Sequence, residues 1–201
     1  MKPIIGIIIR KNQKRYSIKE DVINVFLNKN TIPIGIFNKD KELIDKCNGI
    51  LLPGGDDIEK EDLEIIKYIY EKDIPCLGIC LGMQEMGYLF NGEMNKISNY
   101  NHLKPDEKYV HEITINKKSK LYQILKKEKI KVNSRHKDYL VKTDLDISSI
   151  SDVIESIEDK NKRFFIGLQW HPESMIKYDI NSNLLIDEFI KECNNHKNKN
   201  I

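Results

Sequence analysis

The stretch Pro75–Gln84, PCLGICLGMQ, changes character at its middle. Up to Ile79 it is a short apolar run bounded by Pro75, which suits a strand buried on both faces. From Leu81 to Phe90 the pattern suits a helix. A strand that passes through one residue into a helix is the βα step of a parallel sheet. Outward from there the same alternation repeats. Ile4–Ile9, Ile32–Phe37 and Gly49–Leu52 read as strands, and Lys41–Cys47 and Glu61–Lys72 as helices. Ser17, with Glu20 three residues on, offers a capping box for a helix running to about Asn28. On the other side come a Val110–Ile115 strand, a Lys120–Lys127 helix and strands at Ile130–Asn133, Ser149–Ile157 and Phe164–Gln169, with a closing helix at Asn181–Cys193. The expected fold is α/β, a doubly wound, mostly parallel sheet with flanking helices, whose reactive crevice lies at the carboxyl ends of the strands. The polar stretch Gly92–Tyr109 is long for a connection and reads as a lid or substrate loop.

The 201 residues suffice for one domain, placed at 1–193, with an Asn/Lys-rich tail at 194–201 expected to fray. Lys and Arg number 33 against 31 Asp and Glu, dispersed along the chain, which argues against a nucleic-acid partner. No segment is apolar enough to span a bilayer or to form the core of an export signal, so a cytoplasmic protein is expected. Cys47, Cys76, Cys80 and Cys193 make neither a CxxC pair nor a metal-like cluster with histidine, and reduced thiols follow.

One of those thiols has the setting of a nucleophile. Gly78-Ile79-Cys80-Leu81-Gly82 is a G-x-nucleophile-x-G elbow, in which glycines leave room for a tight turn and the side chain stands clear of the sheet. The helix start behind it favours negative charge. The bland alternative, an inert core thiol, is the reading given to Cys47, Cys76 and Cys193. Trp170-His171-Pro172-Glu173 follows a strand and emerges at the same rim. In an extended segment His171 and Glu173 face one way, so the carboxylate can orient an imidazole that takes the thiol proton. Leu52-Pro53-Gly54-Gly55 ends another strand there, and the N–H groups of Gly55 and Leu81 suit an oxyanion. Alone, His-Pro-Glu suits a loop and Pro-Gly-Gly a plain turn; their convergence with Cys80 carries the chemistry.

These motifs together resemble the class I glutamine amidotransferase superfamily over nearly the whole chain, and a flavodoxin-like sheet is implied. "KVNSRH" at Lys131–His136 is similar to the free-standing γ-glutamyl hydrolase branch, which includes γ-glutamyl-γ-aminobutyrate hydrolases. The resemblance implies a Cys80–His171–Glu173 triad, an oxyanion hole at Gly55 and Leu81, and glutamyl binding by Gln84, Asn133, Ser134 and His136. His136 suits a structural histidine equally well, while His102, His111 and His196 are assigned surface or core roles. The expected activity is hydrolysis of a γ-glutamyl amide through a thioester on Cys80, with no metal and no organic cofactor. The partner is then a small γ-glutamyl substrate, with room for a homodimer. Leu81 and the short segment after Gly55 favour an alternative, a glutaminase subunit passing ammonia to a synthetase partner. A non-catalytic binding or regulatory protein on the same scaffold is a third reading.

Overall fold

Ile4–Ile8 (β1), Ile32–Ile36 (β4), Gly49–Leu52 (β5), Cys76–Ile79 (β6) and Phe165–Leu168 (β13), numbered in chain order, form one half of a central sheet. The computed structural model describes residues 2–12, 15–37, 39–97 and 102–199. These five strands lie in the order β4-β1-β5-β6-β13, every neighbour parallel, which is flavodoxin-like double winding. Their apolar runs follow from burial on both faces. In β5, Leu51 turns toward Phe26 and Phe189, whereas Ile50 and Leu52 turn toward Ile66, Met83 and Met86. Helices α1 (Glu20–Leu27), α5 (Lys120–Leu125) and α6 (Ile180–Lys199) cover the first face; α2 (Lys41–Asp45), α3 (Lys60–Glu71) and α4 (Leu81–Leu89) cover the second. Each fully buried Leu or Ile in these layers contributes about 1.5–3 kcal/mol.

Beyond β13 the sheet continues with β12 (Ile154–Glu158), β11 (Asp146–Ile150), β8 (His111–Ile115) and β9 (Lys129–Val132), each antiparallel to the one before. Only β12 and β8 are reversed within this sheet, so seven of its nine strands run one way. Two small ribbons complete the description: β7 (Glu93–Lys96) with β10 (Asp138–Lys142), and β2 (Arg10–Asn12) with β3 (Arg15–Ser17).

Several local expectations are corrected. Ser17 is drawn into the β2–β3 ladder opposite Arg10, so no capping box forms and Lys19 caps α1 without a side-chain bond. The single strand expected at 149–157 is a hairpin, because Ser151 N–H closes onto the Val153 carbonyl at 2.9 Å without glycine or proline to signal the turn. The loop expected at 92–109 contains β7, which pairs with the unforeseen β10; its residues 98–101 lie outside the described ones. Finally, α6 runs from Ile180 through Lys199, past the Cys193 at which the closing helix was expected to end.

Candidate active site

Cys80 ends β6 and caps α4 with φ 54° and ψ −106°. An L-residue holds such a conformation at a cost of about 1–3 kcal/mol. The surroundings enforce it. The Cys80 N–H donates to the Leu168 carbonyl at 2.7 Å, and the Cys80 carbonyl accepts from Gln84 N at 3.1 Å. Close packing explains both flanking glycines. A Cβ on Gly78 would lie 2.4 Å from Met86 Sδ, and one on Gly82 would lie 2.3 Å from the Leu52 carbonyl oxygen.

His171 leaves the end of β13 and Glu173 follows in a 3-10 turn, Pro172–Ser174. The pair therefore meets through a turn rather than the extended step expected, with His171 Nδ1 2.7 Å from Glu173 Oε1. Burial alone would pull the imidazole down. The Glu173 carboxylate and a side-chain hydrogen bond to Cys80 outweigh it and raise His171 to about 10. Gln169 Nε2 is 3.7 Å from Cys80 Sγ, a further polar neighbour of the sulfur. The remaining cysteines are buried, free and held protonated: burial pushes Cys47 up to about 12 and raises Cys76 and Cys193 as well.

Gly55 and Leu81 are adjacent. A Cβ on Gly55 would fall 2.7 Å from Leu81 Cδ2, while one on Gly54 would sit 3.2 Å from His171 Cε1. Both loops thus close onto the sulfur and the imidazole, and Leu81 N–H belongs to the first turn of α4, where amides lack helical partners.

The four residues assigned to glutamyl binding have other occupations. Asn133 Oδ1 accepts from the His171 N–H at 2.8 Å, and its Nδ2 donates to the His171 carbonyl at 3.0 Å. Gln84 Nε2 donates to Asp138 O at 2.9 Å and to Gln169 Oε1 at 3.1 Å. Ser134 Oγ donates to His102 O at 2.6 Å. His136 faces Asp138 O through Nδ1 at 3.0 Å and His102 Nδ1 through Nε2 at 3.1 Å. Burial above all lowers its pKa to about 4, so the ring is neutral.

Sequence reading passed over two arginines that line the crevice with Cys80, His171, Gly54 and Gly55. Arg10 donates to the Pro53 carbonyl at 2.9 Å and grips the fully buried Glu85 at 2.7 and 2.6 Å. It thereby fixes the glycine loop to α4. Burial raises Glu85 to about 7, against the pull of Arg10. Arg135 lies inside the "KVNSRH" segment itself, reaches Ser174 Oγ at 3.0 Å and keeps a buried Nε without a partner among the described residues. The signal for Arg10 was its place just beyond the apolar run Ile4–Ile9; Arg135 was hidden among better-known neighbours. The crevice holds about 890 Å³.

With this geometry in view, comparison with known proteins is specific. Residues 9–191 match the family "Glutamine amidotransferase class-I". A glutamine-hydrolyzing GMP synthase subunit from Methanococcus aeolicus is 29% identical over 82% of this chain and 81% of its own. The γ-glutamyl-γ-aminobutyrate hydrolase PuuD of Escherichia coli is 23% identical over 96% of this chain and 94% of its own. A solved glutaminase domain of Trypanosoma brucei CTPS with bound acivicin superposes with TM-score 0.71 at 15% identity, covering 95% of this chain and 94% of that one. Among the described residues no helix is long and apolar enough to cross a membrane.

Proposed function

The chain belongs to the class-I glutamine amidotransferase family, and on that footing we propose that it hydrolyses a γ-glutamyl amide, with Cys80 as nucleophile. One observation carries the reading: a sulfur on a strained elbow shares its crevice with an imidazole that a buried carboxylate holds at 2.7 Å. His171 takes the thiol proton, and sulfur attacks the γ-carbonyl. The N–H groups of Gly55 and Leu81 receive the oxyanion. The amine departs with the proton from His171, leaving a γ-glutamyl thioester. Water, deprotonated by the same imidazole, releases glutamate and the free thiol. Arg135 supplies a guanidinium suited to the substrate α-carboxylate.

The volume of the crevice, about 890 Å³, supports a leaving amine larger than ammonia and hence a free-standing hydrolase. A second reading, a glutaminase subunit serving a synthetase, is favoured by Leu81 and by the 29% identity to the GMP synthase subunit of Methanococcus aeolicus. Purified chain should release glutamate from at least one member of a γ-glutamyl amide panel, and mass spectrometry should trap an acyl adduct on Cys80 that Cys80→Ala lacks. Weak glutaminase activity that rises only with a synthetase would establish the second reading. Absence of both turnover and adduct would overturn both.

A further inference from the structure

On the far side of Asn133 lies a cluster that the triad does not use. His102 precedes β8, His111 opens it, and Glu155 stands on β12. Their ligand atoms all lie within 4.8 Å of one another. His111 Nε2 is 2.7 Å and His102 Nδ1 3.7 Å from Glu155 Oε1. Tetrahedral zinc with bonds of about 2.0–2.1 Å spaces its donor atoms by about 3.3 Å, between those two values.

Hydrogen bonding leaves the cluster incomplete. Glu155 is fully buried, and its Oε2 has no partner among the described residues. Both ring nitrogens of His111 are buried without a hydrogen bond to any described residue, since the 2.7 Å approach to Glu155 is out of line for one. Ser151 Oγ at 2.8 Å serves only Oε1. A buried carboxylate with an idle oxygen beside an imidazole lacking partners is costly without a cation between them. His102, by contrast, has its Nε2 2.8 Å from Asp152 Oδ1, the carboxylate contact that orients a ligating ring. His136 adds a fourth group. Its Nδ1 faces the Asp138 carbonyl and therefore bears the proton, which leaves a lone pair on Nε2 directed at His102 Nδ1, 3.1 Å away. A ring fixed in one tautomer by a backbone carbonyl is the arrangement that orients metal-ligating histidines.

We propose that His102, His111 and Glu155 bind one divalent transition-metal ion of the zinc class, with His136 Nε2 as a fourth donor. Two imidazoles and one carboxylate suit zinc, cobalt or nickel, and not calcium or magnesium, which take oxygen donors. The ion fastens the loop at His102 to β8 and β12. It acts at a distance from the sulfur, through Ser134, bonded to the His102 carbonyl, and Asn133 next to it, which holds His171. Its role is structural, and the inference stands whether or not γ-glutamyl amides are the substrate.

Tag-free chain carrying Cys80→Ala, so that the Cys80–His171 pair takes no metal, tests this directly. After chelation and dialysis, zinc content by mass spectrometry should reach about one equivalent per chain. Cobalt(II) should give the visible d–d bands of a low-symmetry site, and the Tm should rise on loading. Glu155→Gln and His111→Gln should each weaken binding by more than about tenfold and erase the Tm rise. His111 is partly exposed, so its variant keeps the test meaningful if Glu155→Gln misfolds. No stoichiometric uptake, or uptake unchanged in the folded variants, overturns the proposal.

Discussion

In the parallel half of the sheet the groups proposed for catalysis stand at strand ends, on backbone turns tight enough to need glycine: Cys80 after β6, Gly54 and Gly55 after β5, with Arg10, the first residue of β2, packed against Gly55. In the antiparallel half the polar groups are buried and bonded to one another: Ser134 to His102, His102 to His136, Glu155 to Ser151. His171 belongs to the boundary. It leaves β13, the last parallel strand, yet Asn133 beyond β9 clamps its backbone from the antiparallel side. On the proposed mechanism one half therefore presents the chemistry, and the other sets where its base stands. Substitutions on each side should separate a loss of reaction from a loss of alignment.

The largest separation lies within the cysteines. Cys80→Ala is expected to lower kcat by about 10⁴-fold or more while the chain stays folded by circular dichroism. Cys76→Ala, at the other end of β6, should leave kcat within a factor of about two and cost only about 1 kcal/mol in denaturant unfolding. Burial, and behind it the Glu85 carboxylate, raises the Cys76 thiol and keeps it protonated. Equal losses from both substitutions would dissolve the distinction.

Arg10 tests the parallel half next. Its guanidinium and Glu85 are 11% and 0% exposed in their side chains, and Asp62 shares the guanidinium at 3.1 Å, so the buried Glu85 relies on Arg10 for its cation. Arg10→Met should destabilise the fold by about 3–5 kcal/mol in denaturant titration, because Glu85 is then buried without its cation. Arg10→Met combined with Glu85→Met should recover much of that loss. If the single variant unfolds at the wild-type denaturant midpoint, the pair does not anchor the glycine loop.

The same division explains what the sequence could tell. Parallel strands covered on both faces are written as unbroken apolar runs, and the elbow must be written as Gly78-x-Cys80-x-Gly82 because a Cβ at either end collides with Met86 or Leu52. Local chemistry leaves local marks. The antiparallel half is assembled by long-range pairing: β7 meets β10 across more than forty residues, and His102, His111, His136 and Glu155 come from four separate segments. No spacing records that encounter. "VNSRH" was visible as a motif, but its partners were not. The reading therefore gave Asn133 to the substrate, whereas both atoms of its amide are bonded to His171. The Ser151 turn was missed for a related reason, since a serine side chain and a backbone bond do what glycine or proline would have announced.

Asn133 is the sharpest probe of alignment. Asn133→Ala strips partners from the His171 N–H and carbonyl, both buried, and should cost about 1–3 kcal/mol of stability. Displacing the imidazole by a fraction of a bond length should lower kcat by about 10²-fold with KM little changed. Asn133→Asp, which keeps the acceptor for the His171 N–H, should retain more activity than Asn133→Ala. A rise in KM at constant kcat would return Asn133 to substrate binding.

The last effect concerns the charge on His171. Burial lowers the imidazole, but Glu173 and the hydrogen bond to Cys80 raise it from its ordinary 6.5 to about 10 in the folded chain. A histidine raised on folding binds its proton more tightly in the native state. The stability it contributes is therefore complete below about pH 6.5 and fades as the pH climbs toward 10. Glu173→Gln keeps the shape of the side chain and removes its charge, so most of that pH dependence should go with it. Measured as Tm against pH, the gap between wild type and Glu173→Gln should be widest near pH 6 and close steadily up to pH 10. A gap that is flat across this range would mean that Glu173 orients the ring without holding its proton. The alignment supplied by Asn133 and the charge supplied by Glu173 would then be separate contributions to one base.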